Sequence, residues 1–146
     1  MYDHILVPTD GSDEATEAVE YAVALASDYG ATVHALHVVE PPRTTLPSEA
    51  MRHEEVREEY RAWGEELTAD VVARAEDQEL EGVAEVAEGI PHEEIDAYAT
   101  DHGVDLIIMG KSGRTGLRDR LLGSVTEKTA RISDVPVLLT QPGGED

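Results

Sequence analysis

The chain has 146 residues, enough for one domain with its own core, and 40% of them are apolar. It contains no Cys, which excludes disulfides, thiolate catalysis and cysteine–zinc sites, and no apolar run long enough to span a membrane. Acidic residues number 32 against 11 Lys and Arg, so the net charge of -21 argues against binding to nucleic acids or to anionic membranes.

Only two of the basic residues are Lys, and such acidic, lysine-poor surfaces are typical of proteins that work in molar salt. At about 1 M salt the Debye length falls to ~3 Å, which screens most of the self-repulsion. We therefore interpret the acid surplus as a halophilic, solvating surface; an acidic protein without a salt requirement is the alternative. The first residues lack a basic n-region, which favours a cytoplasmic location over secretion.

Apolar periodicity alternates between strand and helix along the whole chain. Ser12 is a favourable N-cap for the first helix, and Gly30 suits its C-terminal end. The predicted strands cover residues 2–8, 32–39, 82–87, 104–109 and 136–140. The predicted helices cover residues 12–30, 48–78, 91–102 and 124–133. Ser124 and Glu127 have the form of a capping box at the start of the last helix.

The second predicted helix carries an apolar stripe at steps of three and four residues. It consists of Val56, Tyr60, Trp63, Leu67 and Val71. We interpret this stripe as core packing, with Trp63 or Tyr60 covering a ligand as the alternative. Six histidines are scattered along the chain, and none forms a ligand-spaced pair on a helix. His34 and His37, on the second strand, are interpreted as structural.

Alternating strands and helices predict an α/β fold, a five-stranded parallel open sheet that is doubly wound, with strand order 3-2-1-4-5 and one domain over residues 1–146. Ligands of such sheets bind at the carboxyl ends of the strands, where the strand order reverses. In this order the crevice lies between the first and fourth strands. The loops at residues 8–12 and from Gly110 onward would therefore meet there.

A glycine loop follows the apolar fourth strand. Gly110 and Gly113 begin it, and Gly123 and Ser124 follow after nine further residues, at the start of a helix. Glycines allow close approach of backbone N–H groups, and a helix N-terminus favours an anion. The loop also carries basic side chains, namely Lys111, Arg114, Arg118 and Arg120. The pattern predicts a ligand that bears phosphate.

Asp10 lies just after the first strand and has two interpretations. It is either a turn residue that helps to cap the first helix, or a carboxylate that accepts a hydrogen bond from a ligand hydroxyl such as that of a ribose. A carboxylate would repel phosphate, so a position facing the sugar is physically easier. A role in bridging to a metal ion also remains open.

These residues together resemble the universal stress protein family over essentially the whole chain. The resemblance rests on residues 5–12 (ILVPTDGS), 36–38 (LHV), 89–91 (GIP) and 105–110 (DLIIMG) and on the complete glycine loop, which in that family marks the ATP-binding branch. It implies an adenine nucleotide alpha hydrolase-like fold and a homodimer formed through the last strand. It also implies a nucleotide-dependent stress-response regulator with an unknown protein partner.

The resemblance further implies ATP, together with a divalent cation such as Mg²⁺. Adenine is expected near the Val38 backbone and ribose near Asp10 and Gly110. Phosphates are expected on Gly113, Gly123 and Ser124. The predicted nucleotide-binding set is completed by Pro8, Thr9, Met109, Arg114 and Val125.

Two other functions stay open from the sequence. One is an adenylylating enzyme of the ATP-pyrophosphatase type, although the segment from Thr9 to Asp13 lacks the paired glycines of that group. The other is an interaction module in which the nucleotide has only a structural role. Slow ATP hydrolysis is compatible with the proposed regulator, but the sequence identifies no general base and no catalytic residue.

Overall fold

The computed structural model describes residues 1–41, 50–111 and 122–141, with the backbone alone for residues 50–53. Strands and helices alternate throughout the described chain. The strands are β1 (His4–Pro8), β2 (Thr32–Val39), β3 (Gly82–Glu88), β4 (Leu106–Gly110) and β5 (Val137–Thr140). The helices are α1 (Asp13–Tyr29), α2 (Ala50–Asp77), α3 (Pro91–Asp101) and α4 (Ser124–Ile132). Among these helices, none combines the length and the apolar character needed to cross a bilayer.

The strands form one sheet in the order β3-β2-β1-β4-β5, and every neighbouring pair is parallel. The predicted fold class and strand order are thus confirmed. Pairing is uneven across the sheet. β1 is in register with β2 from His4 to Pro8, but with β4 only at Ile5 and Leu6. The sheet is therefore open between the carboxyl ends of β1 and β4.

Alternate residues of each strand point to opposite faces of the sheet, so apolar side chains lie on both faces. Helices cover both of these faces. On one face Ile5, Val7 and Val33 pack with apolar residues of α1 and α2. On the other face Leu6 and Ile107 pack with residues of α3, and Val125 of α4 joins them. All five residues of β4 are buried, as the apolar run in the sequence predicted.

Helix α1 begins and ends as its sequence predicts. The Ser12 side chain accepts a hydrogen bond from the Ala15 N–H at 3.1 Å, and Gly30 ends the helix with φ +68°. The N-cap of α4 differs from the prediction. It is Gly123, without a side-chain cap hydrogen bond, and Ser124 is already the first helical residue. The Glu127 N–H bonds to the Gly123 carbonyl, so the helix begins one residue before the position that a capping box at Ser124 requires.

The interpretation of the α2 stripe as core packing is wrong for its first half. Val71 is buried and Leu67 is half-buried, but Val56 is 39% and Tyr60 is 52% exposed. The second half of the helix covers the sheet. The first half extends beside the carboxyl ends of the strands, where the sheet is too short to cover it.

Candidate functional site

A cavity of about 500 Å³ lies at the carboxyl ends of β1, β2 and β4, at the predicted crevice. Its volume falls within the ~300–1,000 Å³ typical of small-molecule sites. The predicted nucleotide-binding residues that line it are Pro8, Thr9, Asp10, Val38, Met109, Gly110, Gly123, Ser124 and Val125. The remaining two, Gly113 and Arg114, lie outside the described residues. The sequence therefore identified much of the lining, while nucleotide contact by these residues stays a prediction.

The loop after β1 is held in shape by one of its own side chains and by a histidine of β2. The Ser12 N–H donates to Asp10 Oδ1 at 3.0 Å, and the His37 ring bonds to the Thr9 carbonyl at 2.8 Å. Gly11 has φ +81°, a left-handed conformation that favours glycine. Asp10 thus makes the predicted turn contact and lines the cavity at the same time, so the two interpretations of this residue are compatible.

The two ends of the glycine loop are tied together by backbone hydrogen bonds. The Gly123 N–H donates to the Lys111 carbonyl at 2.9 Å, which joins the two ends. The Lys111 N–H donates to the Thr140 carbonyl at 3.0 Å, which joins the loop to β5. The Thr126 hydroxyl donates to the Gly110 carbonyl at 3.0 Å. Because its N–H is already used, Gly123 does not offer a donor to an anion. The N–H groups of Ser124 and Val125, in the first turn of α4, have no intrahelical acceptor and are the natural donors.

The reason for glycine differs between the two ends of this loop. A Cβ on Gly110 would lie 2.9 Å from both the Cβ and the carbonyl oxygen of Glu14, so α1 packs directly against the end of β4. Gly123 has φ -62° and ψ 154°, which any residue can adopt. Glycine at 110 is therefore explained by the fold. The backbone conformation at residue 123 does not require glycine. Close approach of a ligand therefore stays the predicted reason for glycine there.

His37 lines the cavity, which the sequence analysis did not anticipate. Its Nδ1 must donate to the Thr9 carbonyl, because a carbonyl oxygen only accepts, and in the neutral ring Nε2 is then the acceptor. The ring packs edge-to-face with Trp63 at a centroid distance of 5.5 Å. It also lies against Gly64, where a Cβ would be 2.6 Å from His37 Cδ2.

Glu40 also lines the cavity and was not assigned to the site. Tyr60 and Trp63 line it too, which agrees with the alternative interpretation of the α2 stripe. Glu40 follows β2 directly, so its place in the strand order could have identified it. Tyr60 and Trp63 come from a different element, and the periodicity of α2 gave no sign of where the sheet ends beneath them. Glu40 and Asp10 make part of the cavity wall acidic.

A second polar cluster lies at the opposite, amino ends of the strands. His4 Nδ1 and His34 Nε2 are 3.0 Å apart, and His34 Nδ1 is 2.7 Å from the Tyr98 hydroxyl. His102 stacks on Tyr98 at 3.7 Å. Burial, followed by the charges of His4 and His102, lowers the pKa of His34 to about 4. Burial, followed by Glu85, raises the pKa of Tyr98 to about 12.

The Asp105 carboxylate closes this end of the sheet. It accepts hydrogen bonds from the backbone N–H groups of Asp3 at 2.7 Å and His4 at 2.9 Å. Burial acts to raise the pKa of Asp105, but these two donors and the nearby His4 outweigh it and hold the pKa below its ordinary value. Within residues 1–41, 50–111 and 122–141, no group of three or more His, Asp or Glu side chains is placed to hold a metal ion.

Comparison with known proteins identifies the family. The family model described as universal stress protein family matches residues 1–141. The chain belongs to this family. Universal stress protein MJ0531 of Methanocaldococcus jannaschii is 37% identical over 97% of this chain and 83% of its own length. Universal stress protein MJ0577 of the same organism is 36% identical over 97% of this chain and 96% of its own.

Solved structures agree with this family. The structure of MJ0577 matches with a TM-score of 0.86 and 34% identity, over 99% of both chains. A universal stress protein solved in complex with cAMP matches with a TM-score of 0.66 and 24% identity, over 96% of this chain and 97% of its own. That second likeness concerns the fold alone, and the cAMP belongs to the protein in which it was found.

Proposed function

We propose that this chain is an ATP-binding universal stress protein that acts as a nucleotide-dependent stress-response regulator. The observation that carries the proposal is the composition of the cavity wall. Apolar side chains of Leu36, Val38 and Met109 line it together with the first turn of α4, which offers the N–H groups of Ser124 and Val125. An apolar wall beside an anion-binding helix end suits a ligand with an aromatic base and a phosphate group.

The charges of the wall favour one orientation of the ligand. The positive end of the α4 dipole would attract phosphates, whereas the carboxylates of Asp10 and Glu40 would repel them. We therefore place ribose hydroxyls at Asp10, adenine beside Val38, and phosphates at the start of α4. A divalent cation such as Mg²⁺ would be bound mainly by the phosphates and would keep most of its waters.

Calorimetry of ATP binding tests the phosphate site. Gly123 lines the cavity just before the first turn of α4, and its backbone conformation is compatible with Val. We expect Gly123→Val to abolish measurable ATP binding while the protein stays folded. Ala130→Val is the matched control, because residue 130 is exposed on the same helix. A folded Gly123→Val protein with the affinity of the wild type would refute the phosphate placement.

A comparison of partner binding with and without ATP tests the regulatory part of the proposal. A regulator is expected to retain different proteins from a cell extract in its ATP-loaded and nucleotide-free forms. Identical retention would favour a structural nucleotide instead. Rapid turnover of ATP with transfer of AMP to a second substrate would favour the adenylylating enzyme.

The proposal includes a homodimer formed through β5, which is the last strand of the sheet. Val137 and Leu138 are half-buried and pack against opposite sides of this chain's own core, whereas Leu139 is 37% exposed. An exposed edge with an apolar side chain favours pairing with a second copy of the chain. The contact would then use the backbone groups on the outer edge of β5 and the side chain of Leu139.

Light scattering in molar KCl tests the dimer. We expect the wild type to have the mass of a dimer at micromolar concentration and Leu139→Lys that of a monomer. Ile132→Lys is the control, since Ile132 is also an exposed apolar residue but lies on α4. A monomeric wild type would refute the dimer without affecting the nucleotide site.

A further inference from the structure

The single Trp of the chain is not used in the core. Trp63 lines the cavity, and so does Tyr60, three residues earlier on the same helix. The sequence contains no Phe, so large aromatic side chains are scarce in this protein. Two of these aromatic side chains nevertheless lie on one wall of the cavity. Packing against the sheet does not explain this, because Tyr60 is 52% exposed.

Trp63 is held in place by its neighbours. A Cβ on Gly11 would lie only 3.1 Å from Trp63 Cζ2, so the indole rests directly on the loop that follows β1. The His37 ring meets the indole edge-to-face at an interplanar angle of 78°. His37 is itself fixed by the Thr9 carbonyl and by the close approach of Gly64. The indole is therefore already ordered before a ligand binds. Little binding free energy would be lost in fixing its conformation.

The position of α2 explains why this surface faces the cavity. Val71 and Ala75, further along the helix, are buried against the sheet. Trp63 is half-buried and Tyr60 is exposed, because the helix continues past the strand ends there. An aromatic surface beside the apolar side chains of Leu36, Val38 and Met109 is suited to a flat ring, which stacks favourably on indole.

We propose that Trp63, assisted by Tyr60, packs against the base of the bound nucleotide and makes this site select ligands with a purine base over bare polyphosphate. This inference rests on the proposed nucleotide-binding function and adds the residues that read the base. Polyphosphate would bind at the start of α4 without touching the indole. The two parts of the site can therefore be tested separately.

The experiment measures the affinity of the full-length protein for ATP and for inorganic tripolyphosphate. We expect Trp63→Leu to weaken ATP binding by about 10- to 100-fold, as loss of one stacked base predicts, and to leave tripolyphosphate binding unchanged. Trp63→Phe should recover most of the ATP affinity, since it restores an aromatic face. Tyr21→Leu removes an exposed tyrosine from α1, outside the cavity, and serves as the control.

Wild-type fluorescence gives a second readout, because Trp63 is the single Trp. ATP should change its emission, whereas tripolyphosphate should not. A folded Trp63→Leu protein with unchanged ATP affinity would overturn the inference and leave the proposed function intact. Emission that responds to protein concentration but not to ATP would also overturn it, by indicating an interface between copies. A wild type that binds no ATP would overturn both.

Discussion

Gly64 leaves space for the His37 ring, which bonds to the Thr9 carbonyl. A Cβ at this position would lie 2.6 Å from His37 Cδ2 and 3.4 Å from Val86 Cγ1. Glycine inside a helix is ordinarily unfavourable by about 1 kcal/mol relative to alanine. If Gly64 were replaced by alanine, the gain in helix propensity and the loss of favourable packing against His37 would therefore oppose each other.

We expect Gly64→Ala to destabilise the protein, because overpacking of a buried contact costs about 1–3 kcal/mol and exceeds the propensity gain. The change should appear as a lower midpoint of urea unfolding. Ala62→Gly, at an exposed position of the same helix, measures the propensity contribution alone and should cost about 1 kcal/mol. A more stable Gly64→Ala protein would show that His37 moves aside without cost.

His34 makes stability depend on pH in a defined direction. Its pKa is about 4 in the folded chain, against 6.5 ordinarily, because burial and the neighbouring His4 and His102 disfavour its charged form. Between pH 6.5 and about 4 the unfolded chain binds a proton at His34 that the folded chain does not. The contribution of His34 to the free energy of unfolding is therefore complete above pH 6.5. It falls as the pH is lowered, by about 3 kcal/mol in all.

The His34→Gln variant should lose less stability than the wild type when the pH is lowered from 7 to 4.5. Urea unfolding at several pH values measures the difference, and subtraction removes the contribution of the many carboxylates. His92→Gln, on α3 outside the histidine cluster, should follow the wild type. Parallel stability curves for His34→Gln and the wild type would contradict the assignment.

At the scale of the elements, α1 depends on its N-cap. Ser12 Oγ accepts from the Ala15 N–H, and the Ser12 N–H bonds back to Asp10, so one residue joins the helix start to the cavity loop. Ser12→Ala should cost about 1 kcal/mol of stability in thermal unfolding. Ser27→Ala, exposed near the end of the same helix, should change it little. Equal effects of the two substitutions would argue against the cap.

The order and type of the elements could be predicted because periodicity and turn residues agree along most of this chain. The strand order was predicted as that of a doubly wound sheet, and the meeting of the two loops followed from that order. The exposed start of α2 could not be predicted, since a stripe such as Tyr60 and Trp63 looks the same over a sheet or over a cavity. The α4 cap was also missed, because Gly123 and Ser124 are both acceptable N-cap residues.

The candidate site was predictable where it follows from strand ends and less so elsewhere. Asp10, Val38 and Met109 lie where strands β1, β2 and β4 end, and the topology alone brings them together. The engaged N–H of Gly123 could not be foreseen, because its acceptor is a carbonyl twelve residues earlier. Gly113 and Arg114 lie outside the described residues, so their roles stay predictions.

At the scale of the whole molecule, the net charge of -21 acts on every element. The ion pairs of the described chain include Arg57 with Glu88 at 2.7 Å and Arg74 with Asp70 at 3.0 Å. Acidic residues number 32 and basic residues 11, so the carboxylates exceed the basic side chains by 21. Their mutual repulsion disfavours the compact state at low ionic strength.

We expect the unfolding temperature to rise steeply between about 0.05 and 1 M KCl as the Debye length shrinks to about 3 Å. Differential scanning calorimetry measures the rise. Sucrose at matched osmolality is the control, because it favours compact states by exclusion without screening charge. An unfolding temperature that responds equally to both solutes would remove the interpretation of the surface as halophilic.

The join between β1 and β4 has the shortest register of any pair of neighbouring strands in the sheet. β3, β2 and β1 are paired over long stretches, and β4 is paired with β5. β1 and β4 are in register at two residue pairs, Ile5 with Leu106 and Leu6 with Ile107, and the Asp105 N–H also donates to the His4 carbonyl at 2.8 Å. A nucleotide held by Asp10 on one side and Ser124 on the other would bridge that join. Ligand binding would then slow amide hydrogen exchange even in strands that the ligand does not contact. The join between β1 and β4 could open only after the ligand had dissociated.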